Sequence, residues 1–295
     1  MKVSAKNIFK TNSKSFFFAG LFLNKNIFRN ITILYEFCRY VDDIADKDNK
    51  FKKLKLIKLK KELDISNKNH KLSKIKILIS KNIINKNHLL ELIDGVNQDV
   101  SQKVRIKNTK ELISYSYAVA GTVGLMMSQI LNIKEKIAQK YAIDLGIAFQ
   151  LTNIARDIIE DSKINRIYIP HTWYKLNINE IKKLNKNSIK KLQSSTKDLL
   201  QLAETYYKSA FKGLAFISFR NRFAILLALI VYRKIGIKIL SKNYSNLYDR
   251  EKVSFREKIL CVLKCMILFL FNFKIHKKTY RHNEDLHKHI KTILV

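Results

Sequence analysis

The sequence predicts an all-α protein, and three observations carry that prediction. Proline occurs once and glycine seven times in 295 residues, too few for the tight turns that a strand-rich fold needs. Apolar residues recur at helical spacing through most of the chain. No stretch rich in Gly, Ser or Pro divides it and no fixed-period repeat appears, so residues 1–295 read as a single domain with a basic tail over 274–295. A hydrophobic content of 47% is enough for a sizeable core.

The first long element is a helix from Ile27 to Asp46, with Ile31, Leu34, Tyr35, Cys38 and Val41 on one face. The Lys- and Asn-dense region Lys50–Asn87, including a polar connection at Asn67–Lys71, reads as a solvated layer rather than a separate domain. Asp94 and Asp99 fall in another helix that ends before Arg105. Thr109, Glu111 and Leu112 open a longer one through Leu131, and Ile133 opens one through Asp161, with Pro170 closing the loop Ser162–Ile169. Ser188–Phe211 and Phe216–Leu240 are two more long helical patterns. The apolar run Met266–Phe271, within Ile259–Phe273 and close to Lys264, is too short and broken to span a bilayer and reads as a packed or interfacial helix.

Lys and Arg number 57 against 24 Asp and Glu, a net charge of +33. The basic residues are spread along the whole chain rather than gathered into a stripe, which argues against a nucleic-acid partner. Lys, Asn and Ile dominate together, the bias of an AT-rich genome. The charge would still attract diphosphate-bearing substrates and anionic lipid surfaces. Cys38, Cys261 and Cys265 form no metal-like or redox-like spacing and fit a reducing cytoplasm. Met1–Lys10 lacks the apolar stretch of a signal peptide. The expected location is cytoplasmic, with the inner membrane face as a contact surface.

Two groups of aspartates carry the chemistry. In Arg39-Tyr-Val-Asp42-Asp43-Ile-Ala-Asp46, Asp42 and Asp46 are one helical turn apart, on one face at about 6 Å. Asp43 lies about 100° round the helix, able to meet a second ion or a lysine. In Asn153-Ile-Ala-Arg156-Asp157-Ile-Ile-Glu160-Asp161, Asp157 and Asp161 repeat the spacing, with Asn153 one turn earlier. Like charges one turn apart destabilise a bare helix. A divalent cation between them removes that penalty, and Mg²⁺ characteristically bridges carboxylates to phosphate oxygens. Arg39 and Arg156 are placed to neutralise diphosphate oxygens left free by the metal. The plain alternative is two solvated acidic faces. Against it, both pairs sit among apolar residues in the least basic parts of the chain.

These residues resemble motifs of the squalene and phytoene synthase family, over about Ser13 to Lys258. Ser13-Lys14-Ser15-Phe16 looks like its N-terminal substrate-binding segment, and Tyr35 to Asp46 like its first aspartate motif. Tyr117-Ala-Val-Ala120-Gly121-Thr-Val-Gly124-Leu-Met-Met127 is similar to its glycine-containing helix. Leu145 to Asp161, with Gln150 and Asn153, resembles its second motif, followed by Asn165-Arg166-Ile-Tyr168-Ile-Pro170. Tyr232 and Arg250 fall where the family has C-terminal active-site residues. Asn12 stands where several members have His, Asn24 where Pro is common, and Asn165 where Gly is usual, which puts the shape of that last loop in question. Gly121 and Gly124 imply a kink or room for a prenyl chain against the backbone; close helix packing is the alternative.

The resemblance implies an isoprenoid synthase bundle with a central apolar cavity and two aspartate motifs facing across its mouth. It assigns Mg²⁺, with Mn²⁺ as a substitute, to Asp42, Asp43, Asp46, Asp157 and Asp161, with Asn153 completing the coordination. It assigns prenyl diphosphates to Ser13, Lys14, Ser15, Phe16, Tyr35, Arg39, Gln150, Asn153, Arg156, Tyr232 and Arg250. Catalysis would rest on Asp42, Asp46, Asp157, Asp161, Tyr35 and Arg39, with Tyr35 or Tyr232 steering a proton or facing a cation. The motifs most resemble those of bacterial phytoene synthases, which implies head-to-head joining of two geranylgeranyl diphosphates through a cyclopropyl diphosphate. No NADPH is expected, and no G-x-G-x-x-G unit is present. Squalene or hydroxysqualene formation from farnesyl diphosphate is the alternative within the family. A non-catalytic assembly factor is the alternative of another class.

Overall fold

Asparagine, more than glycine or proline, punctuates the helices of this chain. In the computed structural model, which describes residues 5–46, 51–64, 70–101, 103–242 and 250–290, the helices are α1 (Ala5–Asn12), α2 (Lys14–Gly20), α3 (Lys25–Asp46), α4 (Lys52–Glu62), α5 (Ser73–Ser80), α6 (Lys86–Asn97), α7 (Thr109–Ser116), α8 (Thr122–Ile130), α9 (Lys136–Lys163), α10 (Ile178–Lys183), α11 (Lys186–Gly213), α12 (Phe219–Ser241) and α13 (Phe255–Phe271). The side chains of Asn85, Asn108, Asn177 and Asn185 accept backbone N–H bonds at the starts of α6, α7, α10 and α11, satisfying donors that a helix start leaves open. Ser254 and Glu257 do the same reciprocally for α13. Among the described residues no glycine has positive φ; Asn82, Asn132, Asn165 and Leu184 take the left-handed positions.

The helices expected from periodicity are present, with shifts of a few residues at their ends. Residues 67–69 of the expected polar connection, and the end of the tail from 291, lie outside the described residues. The Lys-rich region forms α4 and α5, and it is solvated on one face only: Leu56, Leu59, Leu63, Ile75 and Leu78 are buried in the core. The sequence also gave no sign of a short parallel bridge pairing Val104 with Arg166 and Arg105 with Ile167. At its edge Asn165, at φ 64°, adopts the backbone that glycine would adopt. Its carbonyl and side-chain oxygens accept from the Arg105 guanidinium at 2.7 and 2.9 Å. The loop in question is therefore formed without glycine.

Helix α9 organises the bundle, packing against α7, α8, α10, α11 and α12. Buried side chains gather in one cluster around α7, α9 and α11, another around α3 to α6, and a third around α12 and α13. Val119, Phe16 and Phe149 each lie against two of these clusters while keeping accessible surface, as the walls of a cleft between them do.

The glycines bring α8 and α9 into backbone contact. A Cβ on Gly124 would sit 2.1 Å from the Ala142 carbonyl oxygen, and one on Gly146 would sit 2.2 Å from that of Ala120. Between α7 and α8, Tyr117–Gly121 is a widened π turn. Both a helix irregularity and close packing are thus present, and the space beside Gly124 belongs to α9 rather than to a ligand. Because backbone cannot yield as a side-chain tip does, Gly124→Ala is expected to destabilise the protein by about 1–3 kcal/mol, read as a lower urea midpoint. An unchanged midpoint would show that the two helices are free to separate.

Candidate active site

Three elements deliver carboxylates to one region. The C-terminal end of α3 carries Asp42, Asp43 and Asp46, the second half of α9 carries Asp157 and Asp161, and a single turn after α6, Gln98–Val100, carries Asp99. Burial, then the charge of Asp46, pushes the Asp42 carboxyl up to about 7, with Asp99 and Asp43 adding to the effect. By surface area Asp42 is nonetheless exposed, so neighbouring atoms crowd it without covering it, and the direction of its shift is what the geometry supports. Burial, then Asp157, pushes half-buried Asp161 up to about 8, with Asp99 and Asp46 contributing across the cleft. The charge of Asp46 in the first motif is therefore felt at Asp161 in the second.

Guanidinium groups hold the other carboxylates. Asp157 receives two two-pronged pairs, from Arg156 at 2.7 and 2.6 Å and from Arg250 at 2.8 and 2.8 Å. The helix is broken locally at Asp157 (φ −108°, ψ 15°), so Asp157 and Asp161 do not share a face by simple helical phase as the spacing implied. Arg39 pairs with Asp43 at 2.5 Å, the place the sequence left to a second ion or a lysine. Arg166 donates to Asp46 at 2.9 Å and to the carbonyls of Ala45 and Asp99 at 3.3 and 3.1 Å, tying the first motif to the Asp99 turn. Asp99 also accepts from Tyr115 and Tyr168, both at 2.7 Å.

An aromatic wall adjoins the charges. Phe16 stacks on Tyr232 with ring centres 4.6 Å apart, and Phe149 lies 4.9 and 4.7 Å from the two. The Tyr232 hydroxyl donates to the Asn153 side-chain oxygen, and the Asn153 amide donates to Gln150 at 3.3 Å. Asn153, Gln150 and Tyr232 thus join the aromatic wall to the second motif. Tyr35 packs on Phe9 at 4.5 Å, and burial pushes its hydroxyl up to about 12. Ser13, Lys14 and Ser15 stand at the start of α2, where the Lys14 carbonyl accepts from Lys258 at 3.1 Å and the Lys14 side chain is exposed. From this segment it is Phe16 that enters the ring cluster.

Sequence inspection missed Asp99, Arg166, Tyr115, Tyr168 and Phe149 as site residues. Asp99 has no carboxylate one turn away to mark it. Arg166 and Tyr168 were visible only as part of a matching run. The oxygen-only donor set and the crowding of like charge suit Mg²⁺. The described residues whose ligand atoms all lie within 4.8 Å of one another are a different group, Asp144, His282 and His287.

Comparison with known proteins gives this arrangement its family. The profile described as "Squalene/phytoene synthase" matches residues 9–257. The chain belongs to that family. It is 30% identical over 266 residues to a 15-cis-phytoene synthase of Enterobacter agglomerans, covering 85% of this chain and 90% of the relative. To a 15-cis-phytoene synthase of Paracoccus it is 38% identical over 150 residues, 51% of this chain and 48% of the relative. A dehydrosqualene synthase structure in complex with ligand superposes with a TM-score of 0.77 at 29% identity, covering 89% of this chain and 94% of that one. A squalene synthase structure from Alicyclobacillus acidocaldarius, at TM-score 0.71 and 18% identity over 81% of this chain and 93% of that one, shares the fold. The protein is a prenyltransferase with the all-α isoprenoid synthase fold.

The raised carboxyls make stability depend on pH with a definite sign. Asp42 and Asp161 start from 3.8 and rise to about 7 and about 8 in the folded chain. The folded state therefore binds more protons than the unfolded state between about pH 4 and 8, so their contribution to stability falls as pH rises through that window. With divalent ions removed by EDTA, Asp161→Asn is expected to lose less Tm than wild type on going from pH 5 to pH 8. Parallel losses in the two proteins would show that Asp161 ionises freely in the fold.

Proposed function

We propose that this synthase joins two geranylgeranyl diphosphates head to head, through a cyclopropyl diphosphate, to give phytoene and diphosphate. The observation that carries the proposal is the pairing of two opposed carboxylate groups with an aromatic wall that meets them at Asn153. The names of relatives covering nearly the whole chain favour the phytoene product. Asp42, Asp46, Asp157 and Asp161, with Asn153, would hold Mg²⁺, for which Mn²⁺ substitutes. Asp43 flanks them through its pair with Arg39. Bound there, the ions would offset negative charge growing on the departing diphosphate.

The chain's own groups would do the rest. Arg39, Arg156 and Arg250 present N–H donors for diphosphate oxygens, with Ser13, Lys14 and Ser15 at the start of α2 as further contacts. The ring faces of Phe16, Phe149 and Tyr232 line the path of an allylic cation and exclude the water that would quench it. Tyr35, with its hydroxyl pushed up to about 12, stays protonated at neutral pH and can orient a departing proton without becoming a charge. Loss of that proton ends the reaction with a central triene and requires no NADPH. The dehydrosqualene synthase neighbour favours a second reading, in which two farnesyl diphosphates are the substrates of the same cleft.

The test is turnover of labelled C15 and C20 diphosphates with Mg²⁺ and without nicotinamide. The expected product is a C40 hydrocarbon absorbing in the ultraviolet as a triene, and Asp157→Asn is expected to lower its rate by roughly 100-fold or more. A C30 product would transfer the assignment to the farnesyl reading. A reaction that stalls at a cyclopropyl diphosphate until NADPH is added would replace phytoene with a squalene-type product.

Helix α13 supports a reading of where the enzyme works. Among the described residues no helix is long and apolar enough to cross a membrane. Cys261, Cys265 and Phe269 bury one face of α13, while Ile259, Leu260, Leu263, Ile267, Leu270 and Phe271 form an exposed stripe at helical spacing on the other. Exposed Lys264 and Lys274 flank the stripe. This supports contact with an anionic lipid surface on the cytoplasmic side, with the helix lying in the interface. The protein is expected to sediment with anionic vesicles at physiological salt, and Leu263→Glu with Ile267→Glu to abolish sedimentation while turnover in detergent persists. Equal binding to neutral vesicles would remove the electrostatic part, and no binding would remove the contact.

A further inference from the structure

A second cluster of titratable groups lies far from the cleft. Asp144 is on α9, roughly 20 Å along the axis from Asp157 at 1.5 Å per residue, and its side chain is fully enclosed. The segment read from the sequence as a basic tail supplies its partners. After α13 the chain turns at Phe273–Ile275 and residues 276–290 run back over the bundle. The Tyr141 hydroxyl donates to the carbonyls of Thr279 and Arg281 at 3.0 and 2.9 Å, Tyr206 donates to Leu286 at 2.9 Å, and Ser114 donates to His289 at 2.9 Å. This strap carries His282, fully buried, and His287, nearly so. Their Nε2 atoms lie 2.9 and 2.8 Å from the two different oxygens of Asp144, with ring centres 4.5 Å apart.

We propose that Asp144, His282 and His287 form a structural site for a transition-metal ion of the Zn²⁺ class, which locks the C-terminal strap onto α9. Two imidazoles and one carboxylate suit Zn²⁺, whereas Mg²⁺ prefers oxygen donors and retains several waters. All three ligand atoms lie within 4.8 Å of one another and all three residues are buried. They leave a fourth position, as three-ligand zinc sites do. The Nδ1 atoms supply an independent indication. Both are buried, with no hydrogen-bond partner among the described residues. If the two Nε2 atoms merely donate protons to Asp144, each neutral ring keeps an Nδ1 lone pair buried without a donor, which is costly. With Nε2 on a metal the proton moves to Nδ1. On His282 that atom faces the Glu284 carboxylate at 3.6 Å, the outer carboxylate that commonly orients a metal-bound histidine; Lys140 shares Glu284 at 2.6 Å. Bonds of about 2.0–2.1 Å in a tetrahedron separate ligand atoms by about 3.3 Å; the two Nε2–oxygen pairs, at 2.9 and 2.8 Å, lie on the short side of that spacing, and the full ligand set lies within 4.8 Å.

The site is independent of the aspartate motifs, so its test uses metal content and spectra rather than turnover. Full-length protein is stripped with chelator, dialysed against trace Zn²⁺ with excess Mg²⁺, and assayed for bound metal. About one Zn²⁺ per chain is expected, and Co²⁺ in its place is expected to give the visible absorption of four-coordinate cobalt. His287→Gln and Asp144→Asn should each lower Zn²⁺ affinity at least 100-fold, while Asp157→Asn should leave it unchanged. Zn²⁺ should raise the Tm of wild type and not that of His287→Gln. Should a variant fail to fold, the wild-type stoichiometry and cobalt spectrum decide alone. Sub-stoichiometric Zn²⁺ at micromolar concentration, six-coordinate cobalt, or undiminished binding by folded His287→Gln would each overturn the proposal and leave a hydrogen-bonded triad.

Discussion

Mutual repulsion among carboxylates is the constraint around which the cleft is built. Asp42, Asp46, Asp99, Asp157 and Asp161 come from three separate elements, and each is felt by at least one of the others. Nothing in helix propensity gathers like charges, and a partly dry cleft amplifies their repulsion. The fold must therefore supply rigidity from elsewhere. The backbone contact of α8 with α9 at Gly124 and Gly146, and the packing of α9 against α11, fix the helix that carries the second motif. Arg166 does the corresponding work for the first motif, linking Asp46 to the carbonyls of Ala45 and Asp99.

What the sequence could reveal was what repeats along it. Recurring apolar residues marked α3, α9, α11 and α12 because each is long enough for the pattern to repeat, although α12 is buried all round over Leu226–Tyr232. The i, i+4 spacing marked both aspartate pairs for the same reason. Asp99 and Arg166 were not marked, because their importance comes from meeting across the fold: a carboxylate on a single turn after α6, and a guanidinium beside a two-residue strand bridge. The break at Asp157 was equally hidden, since the residues around it are good helix formers and the distortion coincides with two arginine pairs made through tertiary structure.

Composition misled in one place and helped in another. The C-terminal segment read only as a basic tail, yet its described part is a strap tied to α7, α9 and α11 by tyrosine and serine hydroxyls, with two buried histidines. A count of lysines gives no hint of which neighbouring residues are enclosed. Asparagine enrichment, in contrast, has direct structural use. Its side chain caps helix starts, and its tolerance of left-handed backbone lets Asn165 stand where glycine is usual in the family. The same codon bias that inflates the charge thus provides the residue that lets a glycine-poor chain turn.

The pattern of ion pairs within the cleft sorts its carboxylates into two kinds. Asp43, Asp46 and Asp157 each hold a guanidinium. Asp42 and Asp161 have arginines near enough to lower them but form no salt bridge among the described residues, and these are the two pushed up to about 7 and about 8. Protein cations therefore neutralise only part of the charge, and the remainder is held off by protons. A diphosphate and its divalent ions address this unfinished balance from both sides. Under the proposed function dications would relieve Asp42 and Asp161 and would share Asp46 and Asp157 with their arginines. Arg39 and Arg250, which keep exposed side chains while paired to carboxylates, suit an anion that arrives with those ions, whereas buried Arg166 serves the fold. Arg250 is exposed and is paired to Asp157 through its Nε and Nη2 atoms. That pair uses one edge of a guanidinium that carries five N–H donors, so under the proposed function Arg250 would be able to meet a substrate phosphate and, at the same time, to tie it to the second motif.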